Sequence, residues 1–147
     1  MKDDKGALLL ENQLCFRLYS ASKEIVRRYK PYLDPLGLTY TQYIAMMVLW
    51  AEESMNVSEL GARLRLDSST LTPLLKKLEA AGYVTRERSH EDERVMVITL
   101  TDAGRDLHDR AMGVPMCIMT DMHIDPESGI ELGKMLDKFM EQAGQPE

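Results

Sequence analysis

No stretch of this sequence approaches the roughly 18 consecutive apolar residues that a membrane-spanning helix needs, which excludes a helical membrane anchor. The N-terminus, MKDDKGALLLENQ, has no long apolar core and no small-residue cleavage site, so it does not read as a secretory signal. A cytoplasmic protein is expected. Cysteine is scarce: Cys15 and Cys117 are too few for a disulfide scaffold, and their separation is far from that of a zinc site. Neither a metal nor any other cofactor is expected. A cationic excess is also lacking, because 18 Lys and Arg face 24 Asp and Glu, for a net charge of −6. That excludes a surface that is basic all over. There is no internal repeat and no low-complexity segment.

What is present is a hydrophobic content of 44% over 147 residues, enough for one packed domain with helical extensions. The charge is unevenly spread. From Arg63 to Arg94 seven Lys or Arg meet six acids, so this segment is +1 and the remainder −7. The same segment falls in the stretch that organises the chain, 57–101. Ser58 is placed to cap a helix from Glu59 to Leu66. Asp67 or Ser68 caps the next, which carries a buried stripe of Leu71, Leu74, Leu75 and Leu78 and ends near Ala81. Gly82 stands where a helix-closing glycine belongs. Tyr83–Glu87 and Val95–Leu100 read as two strands, the second rich in β-branched residues, with the charged tip RSHEDER between them. Helix, turn, helix and hairpin are the plan of a winged helix-turn-helix, a DNA-reading device. The expected fold class is mainly α with a small β-wing.

The flanks are helical. Residues 8–29 place Leu14, Leu18, Ala21 and Ile25 in one row and Cys15, Tyr19, Ser22 and Val26 in a second. Pro31 and Pro35 are expected to end that helix, and Gly37 to supply a positive φ. Thr39 or Thr41 caps a second helix reaching Trp50, and Asn56 fits a turn. Thr101 caps a long helix that Gly113 and Pro115 bend or interrupt. Asp125-Pro126-Glu127 opens a last helix, and the end beyond Gly144 is expected to fray. Met112, Met116, Met119 and Met122 recur near helical spacing and read as soft packing in a subunit interface. The expected organisation is one domain, 1–147, with dimerisation helices 8–30 and 102–143 around a DNA-binding region 39–101. A homodimer would set two recognition helices about 34 Å apart, matching a pseudo-palindromic operator in double-stranded DNA. Ser68, Ser69, Thr70 and Thr72 would meet base edges or phosphates, and Lys76 and Lys77 would anchor the backbone. On the hairpin, Arg86 joins the DNA contacts, Arg94 enters the minor groove, and Asp92 holds Arg94 in position.

DSSTLTPLLKKLEAAGYVTRERSHEDERVMVITLT resembles the recognition helix and wing of the MarR family of dimeric regulators, and Asp92-Glu93-Arg94 matches that family's D-x-R. The likeness runs from Leu8 to Gln142. Within the family, LENQLCFRLYSASKEIVRRYKPYLDPLGLTYTQY (Leu10–Tyr43) resembles the organic-hydroperoxide-sensing repressors called OhrR. One departure is Thr41, where that branch has proline. The resemblance implies that Cys15 is the sensing cysteine. It implies that Tyr29 and Tyr40 hydrogen-bond that cysteine from the partner subunit, with Tyr19 nearby. Cys117 falls about one turn earlier than the branch's resolving cysteine. The implied function is a repressor that leaves its operator when an organic hydroperoxide oxidises Cys15.

A thiolate, not a thiol, attacks a peroxide. Glu11, Asn12, Leu18 and Tyr19 occupy the positions three and four residues from Cys15, so the sequence supplies no neighbouring cation. Activation must come from the fold, through hydrogen bonds to the sulfur. The resulting sulfenic acid can form a disulfide, either with Cys117 of the other subunit or with a small thiol; both remain open. Three other readings compete. One is release by a small aromatic ligand, with the thiols reduced. Another is a thiol peroxidase, for which the Arg and the Thr-x-x-Cys pattern are missing, so no enzyme is expected. The last is a helical module that does not bind DNA.

Overall fold

The computed structural model describes residues 6–144. The first five residues and the tail past Gly144, with its expected fraying, lie outside them. The chain forms two compact units, one ending at Met112 and the other beginning at Gly113.

The first unit begins with a 3-10 turn, Leu10–Asn12, and then α1, Leu14–Leu33. α1 thus starts later than expected and continues through Pro31. Near a helix end, the proline removes only one N–H and lies exposed on the surface. Continuing the helix also places Leu33 in the core, where it is 1% exposed. Gly37 has φ +69°, the left-handed turn expected of it. α2 spans Tyr40–Glu52 and opens with a full capping box. Thr39 Oγ1 accepts from Gln42 N, and Gln42 Oε1 accepts from Thr39 N. Tyr43, Ala45, Met46 and Leu49 form its buried face.

Asn56, expected in a turn, closes a short strand, β1 (Ser54–Asn56). The strand follows Glu53, whose φ of 65° ends α2 abruptly. α3, Val57–Leu64, is capped by Asn56 rather than Ser58: Asn56 Oδ1 accepts from Glu59 N at 2.8 Å. α3 stops before Leu66 because Arg65 turns left-handed, with φ 55°. α4, Ser68–Ala80, is capped by Asp67 and buries the predicted stripe of four leucines. β2 is Val84–Arg88 and β3 is Met96–Leu100. β3 lies in the centre of a three-stranded antiparallel sheet, with Met55 opposite Ile98 and Arg86 opposite Ile98 on the other side. α5, Asp102–Ala111, starts at the Thr101 cap.

The second unit holds α6, Val114–Asp121, and α7, Pro126–Ala143. The long C-terminal helix of the sequence reading is therefore interrupted at Met112 and Gly113. Asp125 caps α7 by accepting from Ser128 N at 2.9 Å. α7 leaves Ile130, Met135 and Phe139 exposed, and α1 leaves Leu14, Phe16 and Tyr19 exposed. Apolar faces of this size mark surfaces that another chain covers. No helix among the described residues is long and apolar enough to cross a membrane.

Candidate DNA interface and redox site

The start of α4 presents Ser68, Ser69 and Thr70 to solvent, with Lys76 and Lys77 exposed further along and Thr72 half-buried. Asp67 organises this end. Its Oδ1 accepts from Thr70 N at 2.9 Å and from Ser69 Oγ at 2.6 Å. Those bonds, the Ser69 hydroxyl first, hold the Asp67 carboxyl below its usual range. The Ser69 hydroxyl has thereby committed its proton and turns only acceptor lone pairs outward.

On the wing, Asp92 binds Arg94 three ways. Its Oδ1 accepts from Arg94 N and Nε at 3.0 and 3.1 Å, and its Oδ2 accepts from Nη2 at 3.2 Å. The Arg94 side chain is nonetheless 91% exposed, a cation on a short tether at the hairpin tip. Arg88 Nη1 donates to Glu93 O at 2.8 Å and closes the tip. Arg86, expected at the DNA, is also engaged within the chain. Its Nε and its backbone N donate to the Glu79 carboxylate, each at 3.2 Å, and its side chain is 21% exposed. It braces the hairpin against α4. No local pattern announces this, because Glu79 lies on the preceding helix.

Cys15 sits exposed in the first turn of α1. Tyr19, one turn on, lies under the Lys23 ammonium at 5.1 Å. Tyr29 and Tyr40 meet each other, with ring centroids 4.9 Å apart. Burial pushes the Tyr29 hydroxyl up in pKa, with Tyr40 and Tyr43 adding to the shift, so it stays protonated and able to donate. Among the described residues, neither the Tyr29 nor the Tyr40 hydroxyl has a hydrogen-bond partner. Cys15 and Tyr29 are fourteen residues apart on one straight helix, about 21 Å at 1.5 Å per residue. A chain's own Tyr29 cannot reach its own sulfur. Cys117 is exposed on α6.

An aromatic run leads away from the tyrosine pair and was missed in the sequence. Tyr43 follows at 5.7 Å from Tyr29, then Trp50 at 6.3 Å from Tyr43, then His108 at 5.4 Å from Trp50. Trp50 Nε1 donates to Gly104 O at 2.8 Å. Tyr40, Tyr43 and Trp50 share a face of α2 at helical spacing, which could have flagged them, but packing was the simpler reading. A pocket of about 250 Å³ beside Tyr40 is lined by Val26, Arg27, Lys30, Leu33, Asp34, Leu38 and Thr39. No group of side chains among the described residues could hold a metal ion.

A family model described as transcriptional regulator SarA/Rot matches residues 27–111. The organic hydroperoxide resistance transcriptional regulator of Bacillus subtilis (strain 168) is 46% identical over 135 residues, covering 92% of this chain and 90% of the relative. Among solved structures, overoxidized AbfR bound to DNA superposes with a TM-score of 0.77 at 33% identity, over 96% of this chain and 99% of that one. Disulfide-formed AbfR gives 0.63 at 36% identity, over 93% and 96%; the protein comes from Staphylococcus epidermidis. The chain belongs to the SarA/Rot family of transcriptional regulators, which are MarR-like winged-helix proteins. It is a transcriptional regulator and not an enzyme.

Proposed function

We propose that this protein is a dimeric repressor that binds a pseudo-palindromic operator and releases it when an organic hydroperoxide oxidises Cys15. The observation that carries the reading is the separation of Cys15 from Tyr29 and Tyr40. Among the described residues no group hydrogen-bonds the exposed thiol, while Tyr29 and Tyr40, packed together, both carry hydroxyls to give. Two chains with their α1 helices antiparallel would supply each sulfur with the other's Tyr29 and Tyr40. Phenol hydrogen bonds favour the thiolate. The thiolate attacks the distal peroxide oxygen, the O–O bond breaks, and the alkoxide leaves as an alcohol after taking a proton. Cys15 becomes a sulfenic acid, and a second thiol converts it to a disulfide with loss of water.

The disulfide is the releasing state in this reading. Support comes from AbfR, whose reduced and overoxidized forms are both seen bound to DNA and which also has a disulfide form. The reader is α4 with the wing. Ser68, Ser69, Thr70 and Thr72 meet the major groove, Lys76 and Lys77 the phosphates, and Arg94 the minor groove.

The test is a mobility shift on the protein's own upstream DNA, reduced and after treatment with an organic hydroperoxide. Wild type should lose the complex, and Cys15→Ser should keep it. Continued peroxide response in Cys15→Ser would sink the sensor. A non-reducing gel of peroxide-treated protein separates the two thiols: a covalent dimer absent in Cys117→Ser assigns Cys117, and its absence in wild type assigns a small thiol. A second reading has one observation in its favour, the pocket beside Tyr40, whose Val26, Leu33 and Leu38 suit a small aromatic ligand, while Arg27 and Lys30 are held by Glu24 and Asp34. Release by such a ligand with the thiols kept reduced would support it.

A further inference from the structure

We infer that Trp50 is the positioning residue through which the sensor tyrosines move the wing; this rests on the peroxide-release reading above. Four observations in the first unit join up. Tyr29 and Tyr40, the pair proposed to hold the partner's sulfur, touch each other and Tyr43. Tyr43 meets the Trp50 ring edge-on along the same face of α2. The Trp50 ring then grips α5 at two successive turns: its Nε1 donates to Gly104 O at 2.8 Å, and its edge meets the His108 ring at 5.4 Å. Gly104 in turn has no room to move toward the hairpin. A Cβ placed there would lie 2.3 Å from Tyr83 O and 2.7 Å from Leu100 Cδ1. The same junction is tied by Thr101 Oγ1, which donates to Gly82 O at 2.6 Å, and by Thr101 N, which donates to Tyr83 O at 3.1 Å.

The consequence is mechanical. A side chain held at both ends transmits displacement, whereas one facing a cavity absorbs it. When the sulfur enters the disulfide, the tyrosines lose their acceptor and repack. Their shift along α2 reaches α5 through Trp50, because α5 cannot slide past α2 while the indole holds Gly104 and His108. α5 then carries the base of β2 and β3 with it. The two states this requires differ in the register of α5 against α2. A second attachment between the same elements, Arg105 to Glu53 at 2.7 Å, lies at the surface. It is solvent-screened and weaker as a coupling.

The test uses the full-length protein. Trp50→Phe keeps a ring in the ladder and removes the N–H. Its Cys15 should oxidise at the wild-type rate, read by thiol labelling, and its reduced form should bind operator DNA within about threefold of wild type. The ratio of oxidised to reduced dissociation constants should fall about fivefold, the weight of one hydrogen bond. An unchanged ratio, or equal weakening of both states, overturns the inference and leaves Trp50 a packing residue. Trp50 is the chain's one tryptophan, so wild-type emission gives a second measurement independent of any variant's folding. Emission should change on peroxide treatment and stay constant in Cys15→Ser. Peroxide-driven DNA release with constant emission also overturns the inference. A wild type that keeps its DNA under peroxide defeats the release reading itself.

Discussion

Gly104→Ala tests how tightly α5 is held against the hairpin. The added Cβ would stand 2.3 Å from the carbonyl oxygen of Tyr83, and ordinary contact begins at 3.4 Å, so 1.1 Å of overlap must be relieved. The obstacle is backbone, and that carbonyl already accepts from Thr101 N, so neither side yields cheaply. Overpacking of this kind costs about 1–3 kcal/mol, and contact with backbone places it in the upper half. Alanine returns about 1 kcal/mol of helix propensity. The net destabilisation is about 1–2 kcal/mol, a fall of roughly 3–8 °C in Tm for a chain of this size. Thermal unfolding is compared at one protein concentration, because association alone shifts Tm. Gly133→Ala in α7 is the control, since a Cβ there meets nothing within 4 Å. It should gain about 0.5–1 kcal/mol. If Gly104→Ala melts at or above wild type, the close approach does not hold α5, and the coupling drawn through it loses its anchor.

Thr39→Ala removes one half of the capping box and should cost about 1 kcal/mol by denaturant titration, with the slope m unchanged. Glu24 is held down to about 2 from 4.5 by hydrogen bonds from Arg27 and Arg28. A depressed acid stabilises the fold fully above its unfolded pKa, so this contribution should fade only between pH 4.5 and about 2, and Glu24→Gln should remove that part of the acid transition followed by circular dichroism. Lys76→Ala should lower the slope of log affinity against log salt by about one. Arg86→Ala should weaken DNA binding with the slope unchanged, because its guanidinium is engaged by Glu79; an equal fall in slope would restore it as a phosphate contact.

The leucine stripe of α4, the Asp67 and Thr101 caps, Gly37 and Gly82 were all legible, because each depends on residues within one turn of the chain. The misreadings share another physical cause. β1 is three residues long, and its strand character comes from pairing with β3 more than forty positions away. No local pattern announces that. Pro31 reads as a helix stop until the burial of Leu33 is known. Asn56 reads as a turn residue and is a helix cap, and the two share the same side-chain chemistry. At the candidate site, the Glu79 partner of Arg86 lies on another element, outside any local pattern. Trp50 was passed over because its function depends on Gly104, fifty-four residues on.

The redox half of the site was legible only through resemblance, and the helix geometry adds what resemblance does not give. If Cys15 of one chain meets Tyr29 of the other, the two α1 helices run antiparallel and the two-fold axis passes their midpoint, Ser22. Tyr19 and Val26 flank it one turn away on each side, both exposed and both apolar over most of their surface. The serine is small enough to let the helices close. Packed helices lie 8–10 Å apart, with Cα atoms on cylinders of about 2.3 Å radius, so facing Cα atoms at the axis approach to roughly 3.4–5.4 Å. That range overlaps the span of a disulfide. Ser22→Cys, in a chain with Cys15→Ser and Cys117→Ser, should therefore pair with itself under mild oxidation and give a covalent dimer on a non-reducing gel. The same chain carrying its cysteine at Lys23, rotated off the axis, should pair far less. Equal crosslinking at both positions, or none at Ser22→Cys in a protein that remains dimeric by sedimentation, places the axis elsewhere. Cys15 would then have to find its activating partner in some other element than the second chain's Tyr29.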